Sequence, residues 1–178
     1  MFDGETGMYA ETDATGPINF YGETKLMAEH AVQQYPFNWS IVRTVMVYGK
    51  PLQNRQNLVT SSASALQKGE RLRIFNDQVR TPTYVEDLAH GIVRIIEKNA
   101  TGIYHLSGEQ SMTLYEMIVS VARYLQLDAS LITSITENDW RPPARRPHKT
   151  GFDISKARLE LGFQPVSFGQ GLEKTFGH

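Results

Sequence analysis

Val85, Leu88, Ala89, Ile92, Ile95 and Ile96 recur at three- and four-residue intervals, the spacing of one helical face. On either side lie runs too short and too rich in strand formers for helix. Arg71 to Phe75 alternates polar and apolar residues, and Gly102-Ile-Tyr-His-Leu-Ser107 reads as a short strand. The alternation extends along the chain. Phe20, Thr24, Met27, Ala28 and Ala31 predict an amphipathic helix over 19–34, which Pro36 ends. Trp39 to Val45 predicts a buried strand, and Leu58, Ser62, Ala65 and Leu66 predict a helix from Asn57 to Lys68 with Gly69 as its stop. Thr113 and Glu116 have capping-box spacing and open a helix that turns Met117, Ile118, Val121, Ala122 and Leu125 inward. Ser155 is expected to cap a short helix closed by Gly162, and one or two amphipathic turns over 168–176 complete the order. Helices alternating with strands define an α/β fold. Such sheets bind ligands beyond the carboxyl ends of their strands, which places the loop from Val47 to Asn57 at the ligand edge.

Composition narrows the possible partners. The 178 residues carry a net charge of −1, so no basic field invites nucleic acid or an acidic membrane surface. Without cysteine there are no disulfides and no thiolate metal sites, which fits a reducing cytoplasm. No signal peptide is visible, and no apolar run approaches the roughly 20 residues of a membrane span. The expectation is a soluble cytoplasmic chain. Residues 1–18 are turn-rich, with Gly4, Gly7, Gly16 and Pro17, and read as a chain entered just after a strand.

Chemistry concentrates at the first predicted helix. Tyr21 and Lys25 are four residues apart, which puts them on one helical face with Cβ atoms about 5–6 Å apart. A cation beside a phenol favours the phenolate, and such a hydroxyl is a usable proton donor; the plainer reading is a surface pair. Arg43 at a strand end suits a structural pairing with a carboxylate. Asn57 suits an N-cap, with ligand contact as the alternative. Arg141, Arg145, Arg146 and Lys149 form a basic loop, either solvated or recognising a diphosphate, with Arg141 the residue chosen for that role. His90, His105 and His148 have no metal-site spacing.

The Tyr21-Gly-Glu-Thr-Lys25 element resembles the Tyr-x-x-x-Lys motif of the short-chain dehydrogenase/reductase superfamily. Around it, in order, stand Phe2-Asp-Gly, Tyr9-x-Glu11, Pro17-x-Asn19, Arg43-Thr44, Tyr48-Gly49, Asp77-Gln78, Thr81-Pro-Thr83, Asp87-Leu-Ala89 and Arg141-Pro142. Together they resemble the dTDP-4-dehydrorhamnose reductase family. The resemblance implies reduction of the 4-keto group of a dTDP-4-keto-6-deoxysugar by NADPH or NADH. Tyr21 would protonate the keto oxygen, and Lys25 would hold the nicotinamide ribose. Arg43 and Thr44 would border the cofactor. Tyr48, Asn57, Gln78 and Arg141 would meet the substrate. Glu11 and Asp13 would hold Mg at a subunit interface of a homodimer.

It also implies an architecture: the C-terminal portion of a Rossmann-like doubly wound sheet, plus a smaller α/β substrate-binding lobe. Residues 1–50 belong to the former and 51–178 mainly to the latter, with 80–106 returning to the sheet. The glycine-rich loop that opens such proteins has no counterpart in these 178 residues. That loop and the helix N-terminus behind it hold the dinucleotide pyrophosphate, so the chain alone is expected to be inactive or nearly so. Two alternatives stand beside the reductase. One is a non-catalytic regulatory subunit resembling the beta subunit of methionine adenosyltransferase. The other is a nucleotide-sugar epimerase or dehydratase, whose relatives carry Arg-Asp-Phe where this chain has the Gln-x-x-x-Pro-Thr run from Gln78 to Thr83.

Overall fold

The computed structural model describes residues 1–53, 55–140 and 143–177. Helix α1 (Phe20–Gln33) starts at Asn19, which is extended and whose Oδ1 accepts from Gly22 N at 2.8 Å. This satisfies one of the amide donors that every helix start leaves without a partner. Strand β1 (Ser40–Arg43) follows, and after it the short β2 (Val47–Tyr48) and helix α2 (Leu58–Gln67). Next come β3 (Leu72–Phe75), β4 (Val79–Arg80), β5 (Thr83–Tyr84) and α3 (Val85–Glu97). The chain continues through β6 (Gly102–His105), β7 (Met112–Thr113), α4 (Leu114–Tyr124) and β8 (Ile132–Ile135) to α5 (Ser155–Leu161) and α6 (Phe168–Phe176).

Three strand pairs are parallel, β1 with β6, β2 with β5 and β3 with β8, while β4 and β7 pair antiparallel. The β1–β6 register runs from Ser40 opposite Gly102 to Arg43 opposite His105. Parallel pairing needs crossovers, and helices supply them. The larger core joins α2, α4 and α6 to β3 and β8, with Met117, Ile118, Val121 and Ala122 fully buried as their spacing predicts. A second core packs Ile95 and Leu106 against Ile154, Ala157, Leu161 and Phe163. A small aromatic cluster joins Phe2 and Tyr9 of residues 1–18 to Phe152.

Several expectations need correcting. The apolar stripe of α1 does not face a core: Phe20 and Met27 are 77% and 69% exposed, and only Gly22 and Glu29 of this helix are buried. On α3 the face through Val85, Ile92 and Ile96 is likewise open, and Gly91 with Ile95 makes the buried contact. Ser155 is the first residue of α5 rather than its cap, and its amide donates to Asp153 Oδ1 at 2.8 Å. Strands β2, β4, β5 and β7 were too short to show a period, and β8 lies in a stretch not assigned as strand. Among the described residues, no helix is long and apolar enough to cross a membrane.

Candidate active site

A cavity of about 840 Å³ opens between α1, the end of β1 and the loop over 144–150, within the range of small-molecule sites. Tyr21 and Lys25 line it from α1, with Lys25 Nζ 5.5 Å from the centre of the Tyr21 ring. Their shared face follows from helical spacing. Tyr21 is 71% exposed, so its hydroxyl is free to approach a ligand.

Arg43 and Thr44 line the same cavity from the end of β1. Arg43 is buried and forks onto Glu29, Nε to Oε1 at 2.9 Å and NH2 to Oε2 at 2.8 Å. A bidentate guanidinium–carboxylate pair satisfies both partners' charge. Arg43 thus ties β1 to α1 and holds the cavity wall. Its guanidinium lies 5.2 Å from the Phe2 ring centre, and its NH1 faces His105 Nε2 at 3.4 Å. His105 Nδ1 lies 2.9 Å from the Tyr9 carbonyl. That carbonyl can only accept and the guanidinium can only donate, so the ring is the neutral Nδ1–H tautomer. Burial holds the His105 pKa below the ordinary imidazole range, and the Arg43 charge adds to this while Glu11 opposes it.

The remaining predicted residues divide. Tyr48 is buried in the larger core against Tyr84 and Phe168, and burial, then the charge of Asp87, pushes its hydroxyl pKa up. It does not line the cavity. A Cβ at Gly171 would run into Tyr48 Oη, so α6 closes over this ring only because that position lacks a side chain. Asn57 is absorbed in structure: it forms a reciprocal capping box with Thr60, both bonds 3.1 Å, and its Nδ2 donates to the Gly49 carbonyl at 2.8 Å. Gln78 is buried and its Oε1 accepts from Arg80 NH2 at 3.2 Å. Arg141 lies outside the described residues; its neighbours Arg145 and Arg146 line the cavity. Glu11 and Asp13 spend carboxylate oxygens on the backbone amides of His105 and Ala10, each at 2.8 Å. No cluster of three or more metal-ligating side chains exists among the described residues, so the Mg expectation has no structural support.

Sequence reasoning missed Arg80. Its guanidinium is largely buried yet lines the cavity. Its place within the Gln78-to-Thr83 segment was the available signal. Toward a nicotinamide cofactor the cavity offers the Tyr21 and Thr44 hydroxyls and the Lys25 ammonium, and no glycine-rich turn for the pyrophosphate is present in the sequence.

Residues 1–178 match the family described as RmlD substrate binding domain. The dTDP-4-dehydrorhamnose reductase of Escherichia coli K12 is 34% identical over 168 residues, covering 88% of this chain and 55% of that protein. Methionine adenosyltransferase 2 subunit beta of Danio rerio is 31% identical over 167 residues, covering 90% of this chain and 51% of that one. The crystal structure of dTDP-4-dehydrorhamnose reductase from Bacillus anthracis in complex with NADP superposes with a TM-score of 0.90 at 29% identity, over 98% of this chain and 61% of its own. The chain therefore spans between half and about three-fifths of these relatives' lengths, and its α/β architecture is part of a Rossmann-like fold.

Proposed function

The chain belongs to the RmlD substrate binding domain family, and we propose that it carries the catalytic and substrate-binding part of a cytoplasmic reductase acting on a dTDP-4-keto-6-deoxysugar. The observation that carries this reading is the placement of Tyr21 and Lys25 on one face of α1, at a largely apolar cavity that Arg80, Arg145 and Arg146 also line. Residues 1–50, with 80–106, form the remnant of the nucleotide-binding part in this account, and 51–178 mainly the substrate lobe.

A bound reduced nicotinamide supplies the hydride. Tyr21 gives its hydroxyl proton to the C4 oxygen as negative charge develops there, converting ketone to alcohol. The Lys25 ammonium stabilises the phenolate left behind and donates to the nicotinamide ribose. Solvent reaches Tyr21 and returns its proton. Thr44 offers a hydroxyl at the same wall, and the Arg43–Glu29 pair keeps that wall rigid. The reading includes a homodimer, and the Phe20 and Met27 stripe of α1 is one of the apolar surfaces left exposed.

Because no glycine-rich turn is present, the 178 residues alone are expected to oxidise NADPH slowly or not at all. Joined to the glycine-rich opening half of a relative, they should reduce the dTDP-4-keto sugar. Alanine at Lys25 should lower that rate strongly; a rate unaffected by the substitution counts against the assignment.

A second reading has its own support in the likeness to methionine adenosyltransferase 2 subunit beta, at 31% identity over 90% of the chain. A regulatory subunit would bind a synthetase partner and give no sugar turnover even when joined to a dinucleotide-binding half. Co-sedimentation with a synthetase, beside the turnover assay, separates the two.

A further inference from the structure

Met46 has a φ of 48°, in the left-handed region that a side chain makes costly. Asn99 and Gln126 share that conformation, but each follows a helix, where a left-handed residue is the ordinary close. Met46 closes no helix. It lies between β1 and β2, just after Thr44 and Val45, which line the cavity. A residue held in such a conformation persists only where its surroundings over-determine it.

Thr83 supplies the hold. It lies on β5 opposite Val47 of β2 and is fully buried. Its amide donates to the Met46 carbonyl at 3.1 Å, and its hydroxyl donates to the Val45 carbonyl at 2.7 Å. The peptide groups on both sides of Met46 are thus fastened by one residue of another strand, while the Met46 side chain packs against the larger core. A hydroxyl has a single proton, and the 2.7 Å bond claims it over the Thr81 carbonyl at 3.4 Å. The contact of the same hydroxyl with Thr44 Oγ1, at 3.4 Å, therefore has Thr44 as its donor. This leaves Thr44 Oγ1 as an acceptor for a ligand in the cavity that it lines.

We propose that Thr83 is a positioning residue for this wall of the cavity. It fastens the left-handed Met46 turn and, through that turn, keeps Thr44 Oγ1 ready to accept from the nicotinamide carboxamide. The proposal rests on the reductase reading for the identity of that ligand; the hold on the turn does not. Thr81 provides the contrast. It is as deeply buried, but its hydroxyl donates to Ser107 Oγ at 3.1 Å rather than to the turn.

The test has two parts. In the 178-residue chain, Thr83→Val keeps the shape and loses the hydroxyl. Amide exchange over 44–48 should quicken in it by about 2- to 12-fold, the effect of one neutral hydrogen bond. Exchange there should stay near wild type in Thr83→Ser and be unchanged in Thr81→Val. In the chain joined to a glycine-rich dinucleotide-binding half, Thr83→Val should raise the KM for NADPH by a similar factor. The KM for the dTDP-4-keto sugar should not change, and Thr83→Ser should restore the NADPH value. A loss of stability alone moves neither KM. Thr44→Val, at an exposed hydroxyl, should raise the NADPH KM by itself, and adding Thr83→Val should raise it no further, because the buried residue acts through the exposed one. If Thr83→Val does not fold by circular dichroism, Thr83→Ala and Thr44→Val carry the same expectations. Unchanged exchange over 44–48 overturns the proposal. So does an unchanged NADPH KM, an equal rise in Thr81→Val, or additive rises from Thr44→Val and Thr83→Val. No turnover by the unsubstituted joined protein refutes the reductase reading, and quickened exchange in Thr83→Val then leaves the hold on the turn standing.

Discussion

The Asn19 side chain donates from Nδ2 to the Arg145 carbonyl at 2.7 Å, across 126 residues of sequence. Its Oδ1 at the same time caps the helix that carries Tyr21 and Lys25. One amide thus fixes helix α1 and the basic loop relative to each other. Asn19→Ala should lose both links, at a cost of about 1 kcal/mol for the cap. Asn19→Asp keeps the cap and removes the donor. Its melting temperature should stay near that of the wild type, while amide exchange across 144–150 quickens. Unchanged exchange in both variants would show that the link does not hold the loop.

Arg43 and Glu29 make a second prediction possible. Both side chains are less than a tenth exposed, so removing one partner strands a buried charge. Arg43→Met or Glu29→Met should each destabilise the fold by about 3–5 kcal/mol, and the double replacement Arg43→Met with Glu29→Met should recover much of it. Urea unfolding of the three variants measures this. Additive losses in the double variant would mean that the two side chains act separately.

His105 makes stability depend on pH. Burial lowers its pKa in the folded chain, so unfolding favours proton uptake. Above about pH 6.5 both states hold a neutral ring and the residue contributes no slope. As pH falls below that value the unfolded chain protonates first, and stability declines until the folded ring titrates as well. The slope is at most about 1.4 kcal/mol per pH unit for one proton. Melting temperatures from pH 8 down to 5 should show it, and His105→Gln should flatten it. An equal decline in the variant would assign the slope to other groups.

Much of this was legible in the sequence because it depended on local spacing. The Thr113–Glu116 capping box and the buried stripe of α4 needed only a helix and its start. The Tyr21–Lys25 face needed only four-residue spacing. What failed depended on long-range placement. Phe20 and Met27 have the pattern of a buried face, yet nothing in these residues covers them. Tyr48 sits at a ligand-facing sequence position, but the missing side chain at Gly171 lets α6 pack over it. Arg80 drew no notice because an arginine in a turn-rich segment is usually solvated. The 148–150 segment runs along β4 and its His148 carbonyl accepts from the Arg80 guanidinium, a long-range contact that spacing does not show.

Tyr21 as proton donor is tested most directly by single substitution in the chain joined to a glycine-rich dinucleotide-binding half. Tyr21→Phe removes one hydroxyl from an exposed side chain, so the fold should be untouched. The measurement is NADPH-dependent reduction of a dTDP-4-keto-6-deoxysugar. Loss of a general acid corresponds to a fall of about 10²–10⁴ in rate, with dTDP affinity unchanged, and that is the result expected. Turnover by Tyr21→Phe equal to that of the unsubstituted protein would contradict it.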